Sequence, residues 1–152
     1  MRISIVAVGR ARQGPERALY EHYVKRIHLP LSLTEISENR TVPTVENLNK
    51  SAEKISRAIP LGAKIITLDE QGNNLTSKQF AGYFQQWRDE GVSDLAFIIG
   101  GANGLDTKFQ DTADFSVSFG RVTWPHLLAR ALLAEQLYRA QQILVGHPYH
   151  RE

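Results

Sequence analysis

The sequence predicts an α/β domain: five strands in a mainly parallel sheet, with helices on both faces. Three observations carry this. Short apolar runs alternate with amphipathic segments from one end of the chain to the other. Asp94–Ile99 is apolar after its first residue, as a strand buried on both faces requires, and runs directly into Gly100-Gly101-Ala102-Asn103-Gly104. Ser116–Phe119 alternates like the end of a strand; Gly120 breaks it, and the turn Arg121–Pro125 leads into a long helix. Open α/β sheets bind ligands beyond the carboxyl ends of their strands, so both glycine turns are candidate ligand loops.

Taken in order, Ile3–Val8 reads as a first buried strand that ends at Gly9. A basic loop with Arg10 and Arg12 follows, and Pro15 opens a helix to about Ile27. Leu31–Ile36 alternates like a strand, and 37–45 is a polar loop in which Thr44 caps a helix running from Val45 to Ile59. Ala63–Leu68 is the next strand, with Asp69–Asn73 as a turn. Thr76 or Ser77 caps a helix to Arg88 whose inner side carries Phe80, Tyr83, Phe84 and Trp87; Gly91 ends it. After strand 94–99 come a short helix near 105–112, strand 114–119, and the last helix with Pro125 in its first turn. The last helix has apolar residues at Leu127, Leu128, Ala131, Leu132, Leu137, Ile143 and Leu144, spread too widely for one core face. Arg130, Glu135 and Arg139 interrupt it, which excludes a membrane span and calls for ionic partners.

At 152 residues the chain is one domain, 1–152, without repeat or linker. It has no cysteine, which excludes disulfides and thiol catalysis and fits a cytoplasmic protein. The net charge of +2 hides an uneven distribution. Residues 1–28 hold six Arg and Lys against two Glu, whereas 29–120 hold eight basic and twelve acidic residues. Terminal segments brought together by the fold would make a basic face suited to phosphates, with Arg10, Arg12 and Arg17 as contacts. The glycine string after strand 94–99 fits neither G-x-G-x-x-G nor G-x-x-x-x-G-K-[ST], which weighs against dinucleotides and P-loop nucleotides.

Four motifs in order, Ile99–Gly104, Ser118–His126, Glu135–Ala140 and His147–Arg151, resemble the RlmH-type methyltransferases of large-subunit ribosomal RNA, in the SPOUT or α/β-knot class. The resemblance spans the chain. It implies a C-terminal trefoil knot, an obligate homodimer, and an S-adenosylmethionine-dependent enzyme without metal. The substrate it implies is N3 of a pseudouridine in the helix-69 loop of 23S rRNA, in the large subunit or assembled ribosome. Carried over by position, Leu68, Gly100, Phe119, Gly120, Arg121, Val122, Thr123 and Trp124 would line the cofactor pocket. One departure concerns the loop after the second strand, Lys-rich in the family. Here only Arg40 and Lys50 are basic within SENRTVPTVENLNK.

An imide N3 is mostly protonated at neutral pH, so its methylation needs a base or a positive charge that stabilises the anion. The tail residues Tyr149, His150 and Arg151 supply an aromatic ring, an imidazole and a guanidinium in succession, and His126 is the other candidate base. Two other readings stay open: a non-catalytic module that binds RNA or the ribosome, and an α/β enzyme using another adenine nucleotide.

Overall fold

The computed structural model describes residues 1–38 and 44–151; most of the polar loop expected at 37–45, with Arg40 and the Thr44 side chain, lies outside them. Among the described residues five strands and five helices alternate: β1 (Arg2–Val8), α1 (Pro15–Val24), β2 (Leu31–Ile36), α2 (Thr44–Ala58), β3 (Lys64–Asn74), α3 (Ser77–Asp89), β4 (Asp94–Ile99), α4 (Thr107–Thr112), β5 (Phe115–Ser118) and α5 (His126–Leu144). The strands form one sheet in the order β2-β1-β4-β3-β5, and every pairing is parallel.

Side-chain alternation divides the core into two layers. Ile3, Ile5 and Ala7 of β1 and Leu95, Phe97 and Ile99 of β4 face α1, α3 and α5. Val6, Val8, Ala96 and Ile98 face the opposite way, against Ile55 of α2 and Leu105 and Phe109 around α4. Strand β4 is therefore enclosed on both sides, which is why its sequence is an unbroken apolar run. Helix α3 starts at Thr76 with a capping box: Gln79 N–H donates to Thr76 Oγ1, and the Gln79 side chain accepts from Thr76 N–H. Its Phe80, Phe84 and Trp87 are buried, and the Phe84 ring stacks on Phe97 at 6.2 Å.

Three expectations change. Helix α1 stops at Val24, and Ile27 is reached through short turns in which Arg26 and Ile27 donate to carbonyls three residues back. The predicted turn at Asp69–Asn73 is an irregularity within β3: pairing with β5 breaks after Leu68 and resumes at Asn73↔Val117. Gly72 makes this passage possible, because a Cβ there would lie 2.7 Å from Ser116 Oγ and 2.8 Å from the Val117 carbonyl carbon. On α5 the buried face is Arg130, Ala131, Leu133, Ala134, Leu137, Tyr138, Ala140 and Gln142, whereas Leu127, Leu128 and Leu132 are only half-buried. The small residues on that face let the helix lie close to the sheet. Among the described residues no helix is long and apolar enough to cross a membrane.

Candidate active site

Strands β3, β4 and β5 deliver their carboxyl ends to a cavity of about 460 Å³. Leu68, Ile99 and Val117 form its floor; the glycine loop 100–104 and the turn after β5 form its walls. Gly100 packs directly on the far side of its own loop, where a Cβ would lie 2.7 Å from both the carbon and the oxygen of the Gly104 carbonyl. Gly104 takes φ +75° and donates its N–H to Gly101 O at 3.0 Å, closing the loop. After β5, Gly120 has φ +103°, and its N–H donates to Ser118 Oγ at 3.1 Å. Trp124 Nε1–H donates to Phe119 O at 3.1 Å, folding the indole back over the turn.

The polar side of the cavity comes from the irregular stretch of β3, which turns Asp69, Glu70 and Gln71 inward. Asp69 accepts from Gln71 N–H at 2.8 Å and from Gln110 Nε2 at 2.5 Å, and Glu70 accepts from Thr123 Oγ1 at 3.2 Å. Among the described residues no lysine or arginine lines the cavity, so two carboxylates set its charge. Such a wall opposes phosphates and favours a cationic or neutral ligand.

Of the residues assigned to a cofactor, Leu68, Gly100, Phe119, Gly120, Val122, Thr123 and Trp124 line this cavity. Arg121 does not, and its side chain is exposed. Sequence reasoning left out Gln71, Gln110 and Ala129; Gly72, which permits the irregular stretch, was the one available signal for the first of these. His126 also lines the cavity and packs on Gly9, where a Cβ would come within 2.9 Å of Nε2. Gly9 has φ +93°, so a side chain is disfavoured there twice over.

The tail is elsewhere. Tyr149 Oη donates to Glu135 Oε1 at 3.0 Å, and its ring lies 4.8 Å from Tyr138 and 4.6 Å from the Arg139 guanidinium. His150 Nδ1 is 3.3 Å from Arg139 Nη1, and Arg151 is exposed. At 1.5 Å per residue, Glu135 and Arg139 lie roughly 9 and 15 Å along α5 from Ala129, the last residue of α5 that lines the cavity. Within one chain the tail and the cavity are therefore not brought together. Burial, with hydrogen bonds to Tyr23 and Glu135, holds the Tyr149 phenol protonated well above the usual tyrosine range. It is a donor, not a base.

The ionic partners that α5 calls for are found inside the chain. Arg139 pairs with Glu135 at 2.6 Å, and Arg130 pairs with Glu35 of β2 at 2.6 Å. Arg10 and Arg12 are exposed on the β1–α1 loop, while Arg17 is engaged with Glu21 at 2.8 Å. Among the described residues no group of three or more His, Asp or Glu is placed to hold a metal.

A family model described as "Predicted SPOUT methyltransferase" matches residues 1–150. Two curated proteins named ribosomal RNA large subunit methyltransferase H, from Paramagnetospirillum magneticum and Rhodospirillum centenum, are each 48% identical over 151 residues, covering 99% of either chain. Among solved structures, a probable methylase family protein from Haemophilus influenzae Rd KW20 superposes with a TM-score of 0.62. It shares 12% identity, and the match covers 99% of this chain and 70% of that one, a likeness of fold.

Proposed function

This chain belongs to the SPOUT methyltransferase family, and from that premise we propose that it is a large-subunit ribosomal RNA methyltransferase, using S-adenosylmethionine to methylate N3 of a pseudouridine. The observation that carries the cofactor assignment is the cavity's charge: two carboxylates and, among the described residues, no lysine or arginine, at the carboxyl ends of three parallel strands. A sulfonium and an ammonium suit that wall, and a nucleotide phosphate does not. Bound there, the cofactor supplies an electrophilic methyl; the chain's own work is positioning and electrostatics. The glycine loop and the turn after β5 present backbone N–H and C=O groups to adenine and ribose. Leu68, Phe119 and Trp124 pack the ring, and Asp69 and Glu70 face its cationic end. Calorimetry with S-adenosylmethionine, ATP and NAD tests this: saturable binding of the first alone is expected, and preferential binding of either nucleotide would overturn it.

The acceptor machinery is the tail of a second copy. Tyr149, His150 and Arg151 suit an imide acceptor, yet one chain holds Tyr149 and His150 against Glu135 and Arg139, roughly 9 and 15 Å along α5 from the cavity's Ala129. A homodimer that brings one tail to the other cavity reconciles the two. Val122 and Trp124 at the cavity rim are exposed, and Leu127, Leu128 and Leu132 continue that apolar surface along α5. Light scattering at micromolar concentration should give twice the 17.1 kDa chain mass; a monomer would remove the shared site.

A further inference from the structure

Arg130 is buried on α5 with 3% of its side chain accessible, one helical turn after His126. Its Nη1 donates to Glu35 Oε1 at 2.6 Å, and its Nη2 donates to the carbonyls of Gly9 at 2.6 Å and Val8 at 3.1 Å. The same Glu35 oxygen accepts the Ala11 backbone N–H at 2.7 Å. One arginine and one glutamate thus tie together the start of α5, the end of β1, the edge strand β2 and the middle of the Arg10-Ala11-Arg12 loop. Among the described residues Arg130 Nε has no hydrogen-bond partner, and neither does the hydroxyl of Tyr20, which lines the same cavity of about 140 Å³ between α1 and α5. As a stability device this is poor, because a buried ion pair with an orphaned donor is often no better than an apolar pair of the same volume. What it does supply is position. The loop leaves β1 at Gly9, which packs on His126 of the cofactor cavity, and carries two exposed arginines on either side of the clamped amide.

We propose that Arg130 and Glu35 are positioning residues that fix the Arg10–Arg12 loop beside the cofactor cavity, so that its two guanidiniums meet acceptor RNA phosphates in one geometry. The proposal rests on the rRNA methyltransferase reading and adds a specific link between cavity and RNA contact. An unclamped loop keeps its charge but must be ordered on each binding event, so the clamp acts on acceptor affinity and leaves the cofactor alone. Burial alone raises the Glu35 carboxyl; the Ala11 amide and the Arg130 guanidinium outweigh it and bring the group below the usual carboxylate range, so it is charged at neutral pH.

Glu35→Ala alone leaves a buried arginine uncompensated and risks the fold, so the informative variant is Glu35→Leu with Arg130→Met, an apolar pair of similar size. The expected outcome is a melting temperature and S-adenosylmethionine affinity close to wild type, amide exchange at Ala11 at least tenfold faster, and affinity for large ribosomal subunits at least tenfold weaker. Wild-type exchange at Ala11, or fast exchange with unchanged subunit affinity, would overturn it; so would loss of cofactor and subunit binding in equal measure. If the wild-type protein itself binds no ribosomal subunit, the rRNA reading fails, and with it the proposed role for the clamp, whereas exchange at Ala11 still reports whether the clamp holds the loop.

Discussion

Deleting residues 149–152 is expected to abolish methyl transfer to large ribosomal subunits while leaving cofactor affinity within about twofold of wild type. The cavity draws nothing from Tyr149, His150 or Arg151 of the same chain, and Glu135 and Arg139, which the tail covers, keep each other as partners at 2.6 Å. What is lost, on the proposed reading, is the group that handles the N3 proton and the anion it leaves. Arg151→Ala alone should lower the rate by roughly 10²–10³, the scale for one preorganised electrostatic group. Arg151 cannot be the base, since a guanidinium stays protonated, and the Tyr149 phenol holds its proton as well. His150 remains for that task. In this structure its Nδ1 lies 3.3 Å from Arg139 Nη1, a group that can only donate. Reaching a second copy's cavity entails leaving Arg139. His150→Ala should therefore lose activity that partly returns at alkaline pH, where more of the imide is already ionised. Wild-type turnover by the truncated protein would move the search for a base to His126.

Gly100→Val should weaken S-adenosylmethionine binding by about 10²-fold, the scale of about two well-placed hydrogen bonds at about 1.5 kcal/mol each. The cause is internal to the loop. A Cβ at this position would strike the Gly104 carbonyl at 2.7 Å, backbone that cannot rotate away, so the loop must open and its N–H groups lose their aim. Gly82→Ala, at a site with nothing within 4 Å, is the control and should bind normally. Unchanged affinity in a folded Gly100→Val protein would remove this loop from the site.

The parts of the fold that were legible are those whose residues answer to one local requirement. Strand β4 reads as buried because every residue after Asp94 is apolar, and the start of α3 reads from Thr76 and Gln79. The glycine loop and the turn after β5 announced the cavity because backbone at strand ends needs glycine to present its groups. What failed depends on distant partners. Asp69–Asn73 looks like a turn by composition, and only the approach of β5 to Gly72 keeps it in the sheet. Arg130 looked like a residue awaiting a second subunit, because nothing local reveals that Glu35, 95 positions earlier, is beside it. The trefoil implied by the resemblance is a property of chain path, which periodicity does not encode and general topology rules argue against.

Large subunits lacking the modification, incubated with this protein and S-adenosylmethionine labelled in its methyl group, test the proposed reaction most directly. One label per subunit, recovered on a single pseudouridine and mapped by mass spectrometry to base N3, is the predicted result. No label in the RNA, or label on a ribose or another base, would contradict it.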